Sequence, residues 1–157
     1  MEINFDRLWK EVISTQNEER LESVDGPSHW RQVEKNGLYL VEKTGANVIV
    51  VRLFSIFHDS RRINDYTDPG HGERGAGYAR QLRRHLFDLN DEDFALLEYA
   101  CTWHADQDHH DDPTIGTCWD ADRLDLGRVG ITPDPALMST TFGRELASEF
   151  FHSEQED

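Results

Sequence analysis

A histidine and an aspartate stand side by side at positions 58 and 59, directly after the most apolar stretch of the chain, ANVIVVRLFSIF. A carboxylate beside a core element is costly to desolvate unless a cation or several hydrogen bonds satisfy it. A divalent metal would do so, because imidazole nitrogen and carboxylate oxygen are standard ligands for zinc, manganese and iron. Neighbouring side chains can converge on one ion at a helix end, where regular geometry relaxes. The plainer reading of His58 is a helix-terminal imidazole interacting with the carbonyl dipoles, and the dipeptide alone does not separate the two. The His/Asp-rich run at 104–112, HADQDHHDD, reads as a solvated loop or a pocket rim rather than a designed ion site. Trp103 and Trp119 are read as core packing. Cys101 and Cys118 form no CxxC pair, which argues against a thiolate zinc site; Cys101 is expected to be a buried free thiol.

The elements that must position these residues read as helices joined by short polar turns. Phe5, Leu8, Trp9, Val12, Ile13 and Leu21 recur at near-helical spacing over 3–22. Asp25-Gly26-Pro27-Ser28 interrupts the chain, and Pro27 suits the first turn of a helix reaching Thr44-Gly45. The β-branched content of 46–59 admits a strand, but its length and its place between helical patterns favour a buried central helix. Further helices are expected over 71–87, 92–104, 114–127 and 140–151, with Asn90-Asp91 as a cap and 132–135 as a turn. No segment alternates with period two. The fold class is therefore all-α, a compact bundle of about six or seven helices.

Composition bounds the rest. The 157 residues suit one ordinary domain, and 37% apolar content can fill a core. Sixteen Lys and Arg against 31 Asp and Glu give a net charge of −15, a field that disfavours stable nucleic-acid binding. No apolar run is long enough to cross a bilayer, and the N-terminus lacks the pattern of a secretory signal. A cytoplasmic protein without membrane association is expected.

The order of the chemical residues resembles the HD-domain superfamily of metal-dependent phosphohydrolases. That signature is a histidine, an adjacent His-Asp about one helix later, and a distant aspartate in a helix. Here these become His29, His58-Asp59 and Asp122, the last within Ala121-Asp122-Arg123-Leu124. The match covers roughly residues 27–128. The resemblance implies a helical bundle with a divalent ion, Mn, Fe, Zn, Ni or Mg, held by His29, His58, Asp59 and Asp122. It implies hydrolysis of a phosphoester, a small nucleotide or another phosphorylated metabolite, by a water whose pKa the ion lowers. It divides the chain into an N-terminal helix packing on the bundle (1–26), the HD-like helical domain (27–151) and a frayed tail (152–157).

Some members of that superfamily carry two histidines between the His-Asp pair and the final aspartate, as second-metal ligands or phosphate contacts. His71 and His104 occupy that part of the order, and with Asp59 they form the expected catalytic set; the competing reading makes both solvent-facing helix ends. Arg61 and Arg62 are the expected phosphate clamps, against a reading as solvated loop charges. Asp120 reads as a supporting carboxylate or a histidine's partner, with Asp125 able to share a face with Asp122. Arg128 reads as a surface charge or an anion contact. Many relatives carry an acidic residue three or four positions after the His-Asp pair, where this chain has Arg62 and Ile63; Asp65 comes later. That departure keeps two other functions in view: a catalytically weak nucleotide-sensing module, and a di-iron oxygenase on a similar fold. Whether the first helix caps the bundle or mediates homo-oligomerisation is open at this level.

Overall fold

A computed structural model describes residues 2–156, with side chains through residue 150. Eight α-helices follow in order: α1 (Phe5–Ser14), α2 (Glu18–Leu21), α3 (Pro27–Thr44), α4 (Val48–Phe57), α5 (His71–Leu82), α6 (Asp91–Trp103), α7 (Pro113–Arg123) and α8 (Thr141–Glu156). Two 3-10 turns, Leu126–Val129 and Pro135–Leu137, lie between α7 and α8. Among the described residues there is no strand; the isolated bridge between Arg83 and Phe87 closes a turn.

Side-chain caps start most of these helices, each supplying an acceptor for amides that the first turn leaves unpaired. Asn4, Asn17, Asn47 and Asn90 accept from Arg7, Arg20, Ile49 and Asp93 respectively. Asp112 accepts from Thr114 and Ile115. Pro27 and Pro113 occupy first-turn positions, where a missing N–H costs nothing.

The central element is α4. Seven of its ten residues are buried, and it packs against α3, α5, α6 and α7. A helix enclosed this way is apolar on every side, which explains the near-continuous run in the sequence. Around it the core includes Trp9, Trp30, Leu40, Phe87, Leu97 and Trp119. Leu8, Trp9 and Val12 of α1 are buried in that same core, so the first helix covers the bundle.

Four boundaries differ from the sequence reading. The expected helix over 3–22 is two helices, because Asn17 caps a new start after the polar Ser14–Gln16 stretch. The helix expected to reach residue 87 stops at Leu82, where Arg84 takes a positive φ of 71°. The helix expected to reach residue 127 stops at Arg123 and continues as a 3-10 turn. The last helix, expected over 140–151, spans Thr141–Glu156; Asp157 lies outside the described residues.

α5 passes unusually close to two neighbours. A Cβ on Gly72 would lie 2.3 Å from the Cys101 carbonyl oxygen, and one on Gly75 would lie 2.3 Å from the Phe57 carbonyl oxygen. No side chain fits at either position. The absence of one lets α5 seat its first turn between the C-terminal ends of α4 and α6, where His58-Asp59 and His104 stand.

Candidate metal centre

Six side chains from distant parts of the chain converge inside the bundle. His29 comes from the first turn of α3, His58 and Asp59 from the end of α4, His71 from the start of α5, His104 from the end of α6, and Asp122 from α7. They fall into two groups whose ligand atoms lie within 4.8 Å of one another: His29, His58, Asp59 and Asp122, and Asp59, His71 and His104.

Asp59 belongs to both groups, and its two oxygens divide between them. Its Oδ2 faces His29 Nε2 at 3.4 Å and His58 Nε2 at 3.3 Å. Its Oδ1 faces His71 Nε2 and His104 Nε2, each at 3.2 Å. Asp122 Oδ1 lies 3.0 Å from His29 Nε2 and 3.4 Å from His58 Nε2. Asp59 is 2% exposed at its side chain and Asp122 15%, so the centre opens on the Asp122 side.

The outer nitrogen of each ring fixes its tautomer. His58 Nδ1 lies 3.0 Å from the Phe54 carbonyl oxygen, His71 Nδ1 2.9 Å from that of Asp68, and His104 Nδ1 2.7 Å from that of Cys101. Carbonyl oxygens only accept, so these nitrogens carry the proton. His29 Nδ1 likewise donates to Asp125 Oδ2 at 2.7 Å. In the neutral rings all four Nε2 lone pairs therefore point inward. They meet in pairs, His29 with His58 at 3.2 Å and His71 with His104 at 3.0 Å. Two lone pairs at that distance repel unless a proton or a metal cation stands between them. Outer partners of this kind are what orient metal-binding histidines.

Without a cation the carboxylates must draw in protons. Burial lowers the His29 pKa, but Asp122, Asp125 and Asp59 outweigh it and raise it to about 11. Burial likewise opposes charge on His58, and Asp59 and Asp122 still raise it to about 9. Asp59 and Asp122 are both held well below the usual carboxylate range; burial opposes this, and the surrounding histidines prevail. The donor set thus fits divalent cations of borderline softness, with four imidazole nitrogens and carboxylate oxygens. Thiolate takes no part: Cys101 and Cys118 are free and buried, and burial pushes both thiols up.

The remaining expected residues divide. Arg62 reaches the cluster, with Nε 3.3 Å from Asp59 Oδ1 and 3.8 Å from Asp25 Oδ2. Arg61 is engaged elsewhere: it donates to Thr15 Oγ1 at 3.0 Å, and its guanidinium lies 3.5 Å from the Tyr78 ring centroid. Asp120 does not support the centre. It accepts from the amides of Ser139 and Thr140 at 2.6 and 2.9 Å and anchors the approach to α8. Trp119 is buried as expected, with Nε1 donating to the Ala100 carbonyl oxygen, whereas Trp103 is 40% exposed. Arg128 Nη2 pairs with Asp25 Oδ1 at 3.1 Å and Nη1 donates to the Asp125 carbonyl oxygen at 2.8 Å.

Two contributors were hard to find in the sequence. The signal for Asp125 was its spacing of three from Asp122, one helical turn, which shows a shared face but not a histidine beneath it. Asp25 lies in a turn with no motif of its own, and only the fold brings Arg62 and Arg128 to its carboxylate.

No family model matches the chain, and no curated protein matches it. A solved structure of a predicted HD superfamily hydrolase from an uncultured Thermotogales bacterium is similar to it, with a TM-score of 0.76 and 21% identity over 99% of this chain and 90% of that one. At that identity the likeness establishes the fold: an all-helical arrangement shared along nearly the whole chain.

Proposed function

We propose that the chain is a metal-dependent phosphohydrolase of the HD type, acting on a small phosphorylated molecule such as a nucleotide or another phosphorylated metabolite. One observation carries this reading: Asp59 turns one oxygen to each of two inward-facing histidine pairs. His29, His58, Asp59 and Asp122 would hold one cation, and Asp59, His71 and His104 a second. Bound there, such ions polarise a phosphoryl oxygen and bring the pKa of a water in the site toward neutral. Magnesium suits the nitrogen-rich donor set least, which leaves manganese, iron, nickel and zinc.

The protein's own groups supply the rest. The Asp68 and Cys101 carbonyls accept from Nδ1 of His71 and His104 and turn each Nε2 inward, the orientation in which it would ligate a cation. Arg62 stands beside Asp59, its Nε on that carboxylate and its Nη1 on the Asn64 and Tyr66 carbonyls, so Nη2 would be the group to meet a phosphoryl oxygen. Asp125 keeps His29 in its ligating orientation.

The same four-histidine set, joined by a carboxylate, favours one alternative, an oxygen-consuming di-iron enzyme. Elemental analysis of purified protein, then a phosphatase panel with and without Mn²⁺ alongside an oxygen electrode, separates the two. Bound metal with phosphate release that disappears in Asp59→Ala supports the hydrolase; two irons with oxygen uptake and no phosphate release supports the alternative. Tight nucleotide binding without either would point to a sensor. Wild-type metal content in both His58→Ala and Asp122→Ala would remove the site altogether.

A further inference from the structure

Beside the centre lies a cavity of about 320 Å³. Its lining includes His104 and Asp122, one residue from each group of the cluster. Leu126, Ile131, Leu137 and Met138 form an apolar wall. Ile131 and Leu137 are 53% and 41% exposed, on the segment that crosses between α7 and α8. Large apolar side chains left open beside a polar centre are what a ligand's carbon skeleton covers.

The charges of this cavity are one-sided. Asp106, Asp108 and Asp134 line it in addition to Asp122, which the centre uses. Among the described residues of the lining the one cationic side chain is Arg123, and its guanidinium is spent on backbone. Nη1 donates to the carbonyls of Asp108 and of Leu137 (2.9 Å), and Nη2 to those of Gln107 and of His104 (3.3 Å). Arg62 and Arg128 do not line the cavity. Among the described residues, a second anionic group placed here would meet three carboxylates and no free cation, whereas an ammonium or a hydroxyl would find acceptors.

We infer that this cavity takes the alcohol part of the substrate and selects phosphomonoesters whose organic group has an apolar body and a neutral or cationic donor at its far end. Esters carrying a second phosphate or a carboxylate are selected against. The inference rests on the phosphohydrolase reading of the centre.

Three aryl phosphates of similar size test it: the 4-(aminomethyl)phenyl, 4-(hydroxymethyl)phenyl and 4-(carboxymethyl)phenyl esters. On Mn²⁺-loaded protein, phosphate release gives kcat/KM, and calorimetric titration gives binding without reference to turnover. The expected order is amine, then hydroxymethyl, then carboxymethyl, with at least tenfold between the extremes and a smaller ratio at high salt. Asp106→Asn with Asp108→Asn, and the triple variant adding Asp134→Asn, should compress that ratio to within about threefold while metal content stays at the wild-type level. Turnover without any charge preference overturns the inference and leaves the hydrolase reading standing, as does an unchanged ratio in the triple variant. No turnover, with the same order in binding, sinks the hydrolase reading and upholds the cavity's preference. No binding of any ester overturns both.

Discussion

At the scale of single residues, the centre is defined as much by what holds each imidazole from behind as by what the imidazole faces. Replacing Asp125 with Asn should leave all the ligands in place yet weaken metal binding roughly 10–100-fold, read by competition with a chromogenic chelator. Asp59→Asn should do more, abolishing both sites, while His71→Ala with His104→Ala should halve the bound metal and spare the other site. Metal content per chain checks both. Asp68 makes a separate prediction. Its buried carboxylate accepts from the Ile63 amide at 2.7 Å and from Arg74 at 2.6 Å. Burial alone would raise its pKa, but these donors outweigh burial and lower it. A depressed folded-state pKa contributes stability above the unfolded value of about 3.9 and loses it as pH falls through the folded value. Asp68→Asn should therefore cost about 2 kcal/mol at neutral pH, with the gap to wild type closing in denaturant titrations as pH falls below the unfolded value and through the lowered folded one. The residues of the cluster were legible because His-Asp adjacency and the Ala-Asp-Arg-Leu stretch are compact in sequence; the structure brings His29, His58, Asp59 and Asp122 together. Asp25 and the disposition of Arg61 were not, since neighbouring arginines at 61 and 62 look alike until the turn sends one over Tyr78 and the other to Asp59.

At the scale of elements, α5 is the part whose position is set by missing atoms. Gly75→Ala pushes a methyl into the Phe57 carbonyl, and Gly72→Ala into that of Cys101. Neither obstacle is a flexible side chain, so the helix must move, at a cost of about 1–3 kcal/mol. Because His71 opens that helix, the same substitutions should lower the affinity of the Asp59–His71–His104 group more than that of the other group. Thermal unfolding and metal stoichiometry, measured together, check this. The expectation of a helix over 71–87 did not show which carbonyls its glycines would touch. Cores of helices were legible from apolar periodicity, and α3 was read almost to the residue because proline opens it and a left-handed glycine, Gly45, ends it. Ends governed by tertiary contacts were not. Residues 83–89 continue the apolar pattern of α5, yet Arg83 turns to Asp88 and Asp91 and the chain reverses there.

At the scale of the molecule, metal, protons and stability are linked. At neutral pH the metal-free protein holds protons on His29 and His58, whose pKa values are raised to about 11 and about 9. A cation must displace both, so its apparent affinity should rise with pH by up to about two log units per pH unit up to about pH 9, and more slowly above it. Titrations at three pH values between 6.5 and 8.5 measure that slope. The metal-free fold has the opposite trend. Its raised histidine pKa values stabilise it fully below the unfolded value of about 6.5, and this stabilisation is lost as pH rises through 9 and 11. Stripping the metal should therefore lower the melting temperature, and by more at pH 8.5 than at pH 6.5. Among the described residues no helix is long and apolar enough to cross a membrane.

Asp59 lends one oxygen to each side of the centre, and a single carboxylate carries a single negative charge. Whichever ion arrives first polarises that charge towards itself and leaves the later arrival a poorer host and a cationic neighbour. Loading of two such ions would then be stepwise, with a half-filled form persisting across a wide span of metal supply. Scarcity of such an ion would then dim any activity that needs both places filled by degrees before it was lost.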